Sequence, residues 1–162
     1  MTRKKSVLFV CTGNICRSVT AEGVLRRLTK QAGLQSLIDI DSAGTQGYQS
    51  GNAPDPRTQS AARERGYDLS KLRARKLEAS DFERFDLLLA MDEDHRRVLA
   101  RMAPKGAESK VKMMMSYARH HSCRGVPDPY YGGPEGFRHV LDLLEDAAEG
   151  LLDDLRQEIE QV

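Results

Sequence analysis

The chain has 162 residues, 40% of them apolar and 30% charged, with lysine and arginine nearly cancelling aspartate and glutamate to leave a formal charge of +1. That length holds one domain with a real core, expected to span residues 1–162. The charge balance argues against nucleic-acid binding or a membrane surface. The opening "MTRKKS" and the four apolar residues after it are too short for a signal-peptide core or a membrane span, so a soluble cytoplasmic protein is expected. Three cysteines, two of them in "CTGNICRS", do not make a secreted disulfide framework.

Four apolar, β-prone runs are predicted as strands: Val7 to Val10, Leu37 to Ile40, Leu87 to Met91 and Val111 to Met115. At least one helix-like stretch separates each from the next, which implies a parallel sheet covered on both faces, a three-layer α/β/α fold. Thr20 to Lys30 sets Val24, Leu25 and Leu28 on one helical face. Asp55 and Pro56 offer an N-cap and a first-turn proline to a second helix that stops at Gly66. "SDFE" (Ser80 to Glu83) has capping-box spacing ahead of a short helix, and "DEDHRRVLARM" is a further helix that begins with acids. From Glu135 to the end, leucines at helical spacing among many acids predict an amphipathic helix packed on the sheet. Two long segments rich in glycine and proline, Ser42 to Pro56 and His120 to Gly136, read as loops. In an open parallel sheet such loops meet at the carboxyl ends of the strands, where ligands bind.

The segment from Cys11 to Ser18 joins the first strand to the first helix. A loop there aims successive backbone N–H groups at one point, and the helix N-terminus adds positive potential, a geometry that binds a tetrahedral oxyanion. Gly13 and Asn14, with Thr12 and Ile15 beside them, include the residue types that tolerate a left-handed backbone. Arg17 supplies a planar, permanently charged fork for two phosphate oxygens. Cys11 at the base of this cradle is favoured as thiolate and placed to attack a bound phosphate. Ser18 is expected either to donate a hydrogen bond to its sulfur or to cap the helix. Phosphate-monoester cleavage also needs a proton donor, and Asp128 in "PDPYYGG" is the candidate. It would act first as acid and then, as carboxylate, activate water.

Those residues carry a resemblance. "VCTGNICRS" resembles the signature loop of the low-molecular-weight protein tyrosine phosphatases, and "DPYYG" resembles that family's general-acid loop. "SAGT", "PDPR" and "FDLLLAMDEDH" resemble family segments in the right order. The resemblance implies a phosphotyrosine phosphatase working through a cysteinyl-phosphate, with Cys11 as nucleophile, Arg17 binding phosphate, Asp128 as acid and base, and Asn14 and Ser18 supporting loop and thiolate. It implies that Ile15, Tyr48 and Tyr130 line a slot deep enough for phosphotyrosine, with Tyr131 flanking the cleft or merely packing. No metal or cofactor is needed. The implied partner is a tyrosine-phosphorylated protein, with a cognate tyrosine kinase as a further one. Val19 stands where a proline often follows the signature serine. Leu72 is nearest the place of a histidine that buttresses the loop in some members, which leaves Asp92 without its expected partner.

Other readings compete. Cys16 is either a core thiol or, as the resemblance suggests, a partner that captures oxidised Cys11 as a reversible disulfide. His120, His121 and Cys123 have no second ligand pair at zinc-site spacing and read as a solvated loop. Met113 to Met115 reads as a buried strand end. An arsenate reductase on the same fold would need further redox cysteines, which residues 70 to 95 lack. A non-catalytic phosphotyrosine-binding module would keep the cradle without turnover, yet Cys11, Arg17 and Asp128 are all present.

Overall fold

The computed structural model describes residues 4–160. Four parallel strands, β1 (Lys5–Cys11), β2 (Ile38–Gly44), β3 (Leu87–Ala90) and β4 (Val111–Met113), form one sheet in the order β2-β1-β3-β4. Helices α1 (Arg17–Gln31), α2 (Pro56–Glu64), α3 (Asp81–Arg84), α4 (Glu93–Met102) and α5 (Pro134–Glu160) surround it. The three-layer arrangement follows from strand periodicity. Along β1, Val7, Phe9 and Cys11 join the core shared with α1 and α5, while Leu8 and Val10 join the core on the other face with Phe82, Phe85 and Leu99. Alternate side chains point to opposite faces, so a strand apolar at every position must be covered twice.

The sheet order matters for the site. The chain leaves β1 for β2 on one side and later pairs β3 on the other, so the loops at the carboxyl ends of β1 and β3 open a crevice between them.

Several local expectations are corrected. Ser42 to Gly44, read as the start of a loop, is the end of β2, because pairing with β1 extends to Cys11 opposite Gly44. Leu37 lies outside β2, where its amide closes a turn on Leu34. Met114 and Met115 leave the sheet in a 3-10 turn, Met114–Tyr117, and remain buried there. Ser80 makes no capping hydrogen bond. Asp81 does the local anchoring instead, its carboxylate accepting from the Glu78 amide and from both Arg75 Nη atoms. Ser80 itself has helical φ and ψ of −64° and −18° rather than the extended conformation of a capping residue. The α2 cap forms as expected, with Asp55 accepting from the Arg57 amide and Pro56 opening the helix. Of the predicted last helix, Gln161 and Val162 lie outside the described residues. No helix among the described residues is long and apolar enough to cross a membrane.

Candidate active site

β1 ends on Cys11 and α1 starts at Arg17, leaving five residues to turn the chain over the sheet edge. Asn14 makes that turn with φ of 59°, a conformation that asparagine tolerates better than most residues. It is fully buried, and both ends of its amide are used: Nδ2 donates to Ser18 Oγ at 2.7 Å and Oδ1 accepts from the Arg75 amide at 3.0 Å. Cys11 Sγ and Ser18 Oγ are 2.9 Å apart. Ser18 Oγ accepts from Asn14 and keeps its own hydrogen free for the sulfur. Cys16, not Ser18, stands at the N-cap of α1 and makes no side-chain capping bond.

The loop is held from below by the segment after β2. Thr45 and Gln46 donate their amides to the carbonyls of Cys11 and Thr12 at 2.8 and 2.9 Å. Gly44 permits this approach, since a Cβ there would lie 2.6 Å from the Thr12 carbonyl oxygen. Carbonyls therefore point down. The amides of residues 13 to 16 find no backbone acceptor among the described residues, the arrangement of an anion-binding nest at a helix start.

Arg17 is 4% exposed. One Nη1 donates to Asp92 Oδ2 at 2.8 Å and to the Val126 carbonyl at 2.9 Å, and Nη2 lies 3.8 Å from Asp128 Oδ2. Asp92 thus has a partner after all, and it is the arginine of the loop rather than a residue near Leu72. Burial opposes the Asp92 charge, but the His95 amide and Arg17 outweigh it and hold the carboxyl below its ordinary value.

Asp128 is half-exposed and accepts the Tyr130 amide at 3.0 Å. Cys11, Thr12, Gly13, Ile15, Cys16, Arg17, Tyr48, Asp128, Tyr130 and Tyr131 line one cleft of about 200 Å³. Asn14 and Ser18 lie buried in the loop beneath. Tyr131 is 94% exposed and meets the edge of the Tyr130 ring with centroids 5.1 Å apart. It flanks the cleft rather than packing in the core. Cys16 occupies a middle position: it lines the cleft yet is buried, and burial pushes its thiol up to about 12, with Asp55 adding to the rise. His121 Nδ1 lies 2.7 Å from Asp146, and the Asp146 carboxylate also accepts the Arg119 and His120 amides.

Three contributors were not legible beforehand. Gln49 lines the cleft beside Tyr48. Arg57 Nη1 donates to the Tyr130 carbonyl at 2.8 Å, with its guanidinium over the Tyr130 and Phe137 rings. His95 Nε2 lies 2.8 Å from Thr12 Oγ1. Arg57 ends the "PDPR" segment and His95 ends "FDLLLAMDEDH", where its spacing from Asp92 forms a capping box, but neither segment showed what the side chain holds.

The sequence and the fold are similar to those of known proteins. Residues 6–161 match the family described as low molecular weight phosphotyrosine protein phosphatase. A low molecular weight protein-tyrosine-phosphatase of Streptomyces coelicolor is 45% identical, with 95% of this chain and 95% of that protein covered. A low molecular weight phosphotyrosine protein phosphatase of Schizosaccharomyces pombe is 44% identical over 94% of this chain and 97% of its own. A protein tyrosine phosphatase of Entamoeba histolytica, crystallised with Hepes in its active site, superposes with a TM-score of 0.93 at 38% identity, covering 96% of this chain and 99% of that one. A nest of amides above a buried cysteine, in a chain so alike from end to end, places this protein in the low molecular weight phosphotyrosine protein phosphatase family.

Proposed function

We propose that this chain hydrolyses phosphotyrosine in proteins through a covalent cysteinyl-phosphate. The observation that carries the reading is the approach of Arg17 Nη2 to Asp128 Oδ2, 3.8 Å, across the cleft that Cys11 floors. It gathers nucleophile, anion clamp and proton donor from opposite ends of the sequence around a volume fit for a phosphoryl group.

In the first step Cys11 Sγ attacks phosphorus, the bond to the tyrosyl oxygen breaks, and Asp128 gives its proton to that oxygen. The nest amides and Arg17 hold the equatorial oxygens where charge is carried in transfer. The Ser18 hydroxyl, directed at sulfur by Asn14, stabilises a thiolate more than a thiol. In the second step Asp128, now a carboxylate, takes a proton from water as its oxygen attacks phosphorus, and the S–P bond breaks to return the thiolate and inorganic phosphate. Cys16, pushed up to about 12, stays protonated and is a poor nucleophile. Tyr48 and Tyr130 offer aromatic walls for a phenyl ring entering the slot.

The test is phosphate release from a phosphotyrosine peptide over about pH 4 to 9 in reductant, for wild type, Cys11→Ser and Asp128→Asn. Cys11→Ser is expected to abolish release, and Asp128→Asn to lower it and remove the limb that depends on the protonated acid. A folded, reduced wild type that releases no phosphate overturns the reading.

A further inference from the structure

We propose that His95, carrying its proton on Nε2, is a positioning residue that ties Thr12 to Asp92 and thereby keeps Arg17 aimed into the cleft. The inference rests on the phosphatase reading for its consequence in turnover, but not for its geometry.

His95 is 2% exposed and uses every polar atom it has. Its amide donates to Asp92 Oδ1 at 3.0 Å, its Nδ1 faces the Asp92 amide at 3.2 Å, and its Nε2 faces Thr12 Oγ1 at 2.8 Å. A backbone N–H can only donate, so Nδ1 must be the acceptor. Asp92 Oδ1 also lies 3.1 Å from Nδ1 and keeps a lone pair after taking the His95 amide, but a hydrogen placed on Nδ1 would strand the Asp92 amide, which has no other acceptor among the described residues. A neutral imidazole has one ring hydrogen, which places it on Nε2 and makes Thr12 Oγ1 its acceptor.

The second oxygen of Asp92 takes Arg17 Nη1. Both ends of the phosphate loop, Thr12 and Arg17, are therefore fastened to the first turn of α4 through one carboxylate and one imidazole. A residue serving only as a helix cap would need Nδ1 alone; the bond from Nε2 reaches out of the helix to the loop. The charged and titratable groups around the ring are Arg17 from α1, Asp92 and Asp94 from α4, and Asp128 from the acid loop. Burial first, and then Arg17, push the ring down to about 4, so it stays neutral above that pH and both hydrogen bonds persist.

Asparagine puts its oxygen near the place of Nδ1 and keeps the cap but not the reach to Thr12. Glutamine puts its amide nitrogen near the place of Nε2 and restores that reach. The experiment measures inorganic phosphate affinity by calorimetry and turnover of p-nitrophenyl phosphate for wild type, His95→Asn, His95→Gln, Thr12→Val and His95→Asn with Thr12→Val. It adds long-range nitrogen NMR of the histidine rings over about pH 5 to 8.

The spectrum is expected to show His95 neutral with its hydrogen on Nε2. His95→Asn should unfold near the wild-type temperature yet lose roughly tenfold in phosphate affinity and kcat, the scale of one hydrogen bond. His95→Gln should recover most of that loss. Thr12→Val should match His95→Asn, and the double variant should lose no more than either. A hydrogen on Nδ1, a His95→Asn enzyme that binds phosphate and turns over like wild type, or losses that multiply in the double variant would each overturn the role. A wild type that binds phosphate without hydrolysing p-nitrophenyl phosphate or phosphotyrosine peptide sinks the phosphatase reading alone, since affinity and spectrum still decide on His95. A wild type that binds no phosphate sinks both.

Discussion

Arg57, at the start of α2, donates from Nη1 to the carbonyl of Tyr130 at 2.8 Å while its Nη2 and Nε hold the Asp55 carboxylate. The Asp55 amide in turn donates to the Ile15 carbonyl at 2.9 Å. The loop that carries Asp128 and the loop from Cys11 to Arg17 are thus linked through one two-residue bridge. Arg57→Ala is expected to leave the fold intact but loosen the carrier of Asp128, lowering kcat by roughly tenfold, about 1.4 kcal/mol of barrier. The loss should be larger for phenyl phosphate than for p-nitrophenyl phosphate, because the poorer leaving group depends more on the acid. Equal losses for the two substrates would detach Arg57 from proton donation.

Ser18→Ala removes the hydroxyl 2.9 Å from the Cys11 sulfur and leaves Asn14 Nδ2 without its acceptor. A fall in kcat of roughly a hundredfold is expected, the lower end of the scale seen when one preorganised donor is lost. Alkylation of Cys11 by iodoacetamide near neutral pH should slow in parallel. Unchanged alkylation would mean that the hydroxyl serves the loop and not the sulfur.

Gly150 lies inside α5, where alanine would ordinarily be favoured by about 1 kcal/mol. Here a Cβ would stand 2.0 Å from the Tyr117 carbonyl oxygen and 3.1 Å from its carbon. Backbone cannot rotate away as a side chain would, so overpacking of roughly 1–3 kcal/mol should win. With the helix-propensity gain set against it, the net loss is up to about 2 kcal/mol, and Gly150→Ala is expected to lower the unfolding temperature by up to about 8 °C while the folded protein keeps its kcat. A stabilised variant would show that α5 slides freely on this turn.

Asp146 anchors the segment that leads to the loop carrying Asp128. Burial works against its charge, but the Arg119 amide, the His121 ring and the His120 amide outweigh it and hold the carboxyl down to about 2. A carboxyl depressed on folding contributes stability that is fully present above its unfolded value and lost as pH falls through the folded one. The contribution, about 2 kcal/mol, should therefore disappear between about pH 4 and pH 2. Asp146→Asn should melt below wild type at neutral pH, with the two melting curves converging in that acid window. A difference that persists undiminished at about pH 2 would contradict the assignment.

Much of this protein was legible before any fold was known. The four apolar runs, the Asp55–Pro56 helix start and the loop between Cys11 and Arg17 all follow from local chemistry, while the pairing of that loop with "DPYYG" came from the family resemblance. A strand alternates faces, proline fixes a helix entrance, and a loop into a helix N-terminus aims its amides at one point. One misreading fell where a distant partner overrides a local preference: Ser42 to Gly44 became strand because β1 supplied the ladder. Ser80 was misread for a local reason, its helical φ and ψ.

The sequence by itself determined the fold class, the candidate chemistry and the members of the loop from Cys11 to Ser18, since each is set by residue type and spacing within a few positions. Only the tertiary structure decided who supports them. Asp92 and His95 reach Arg17 and Thr12 because β3 pairs beside β1 and so brings the start of α4 under the loop. Arg57 reaches Tyr130 because α2 packs on α5. Contacts across 70 or more residues are fixed by strand order and helix packing, and local sequence carries no record of either.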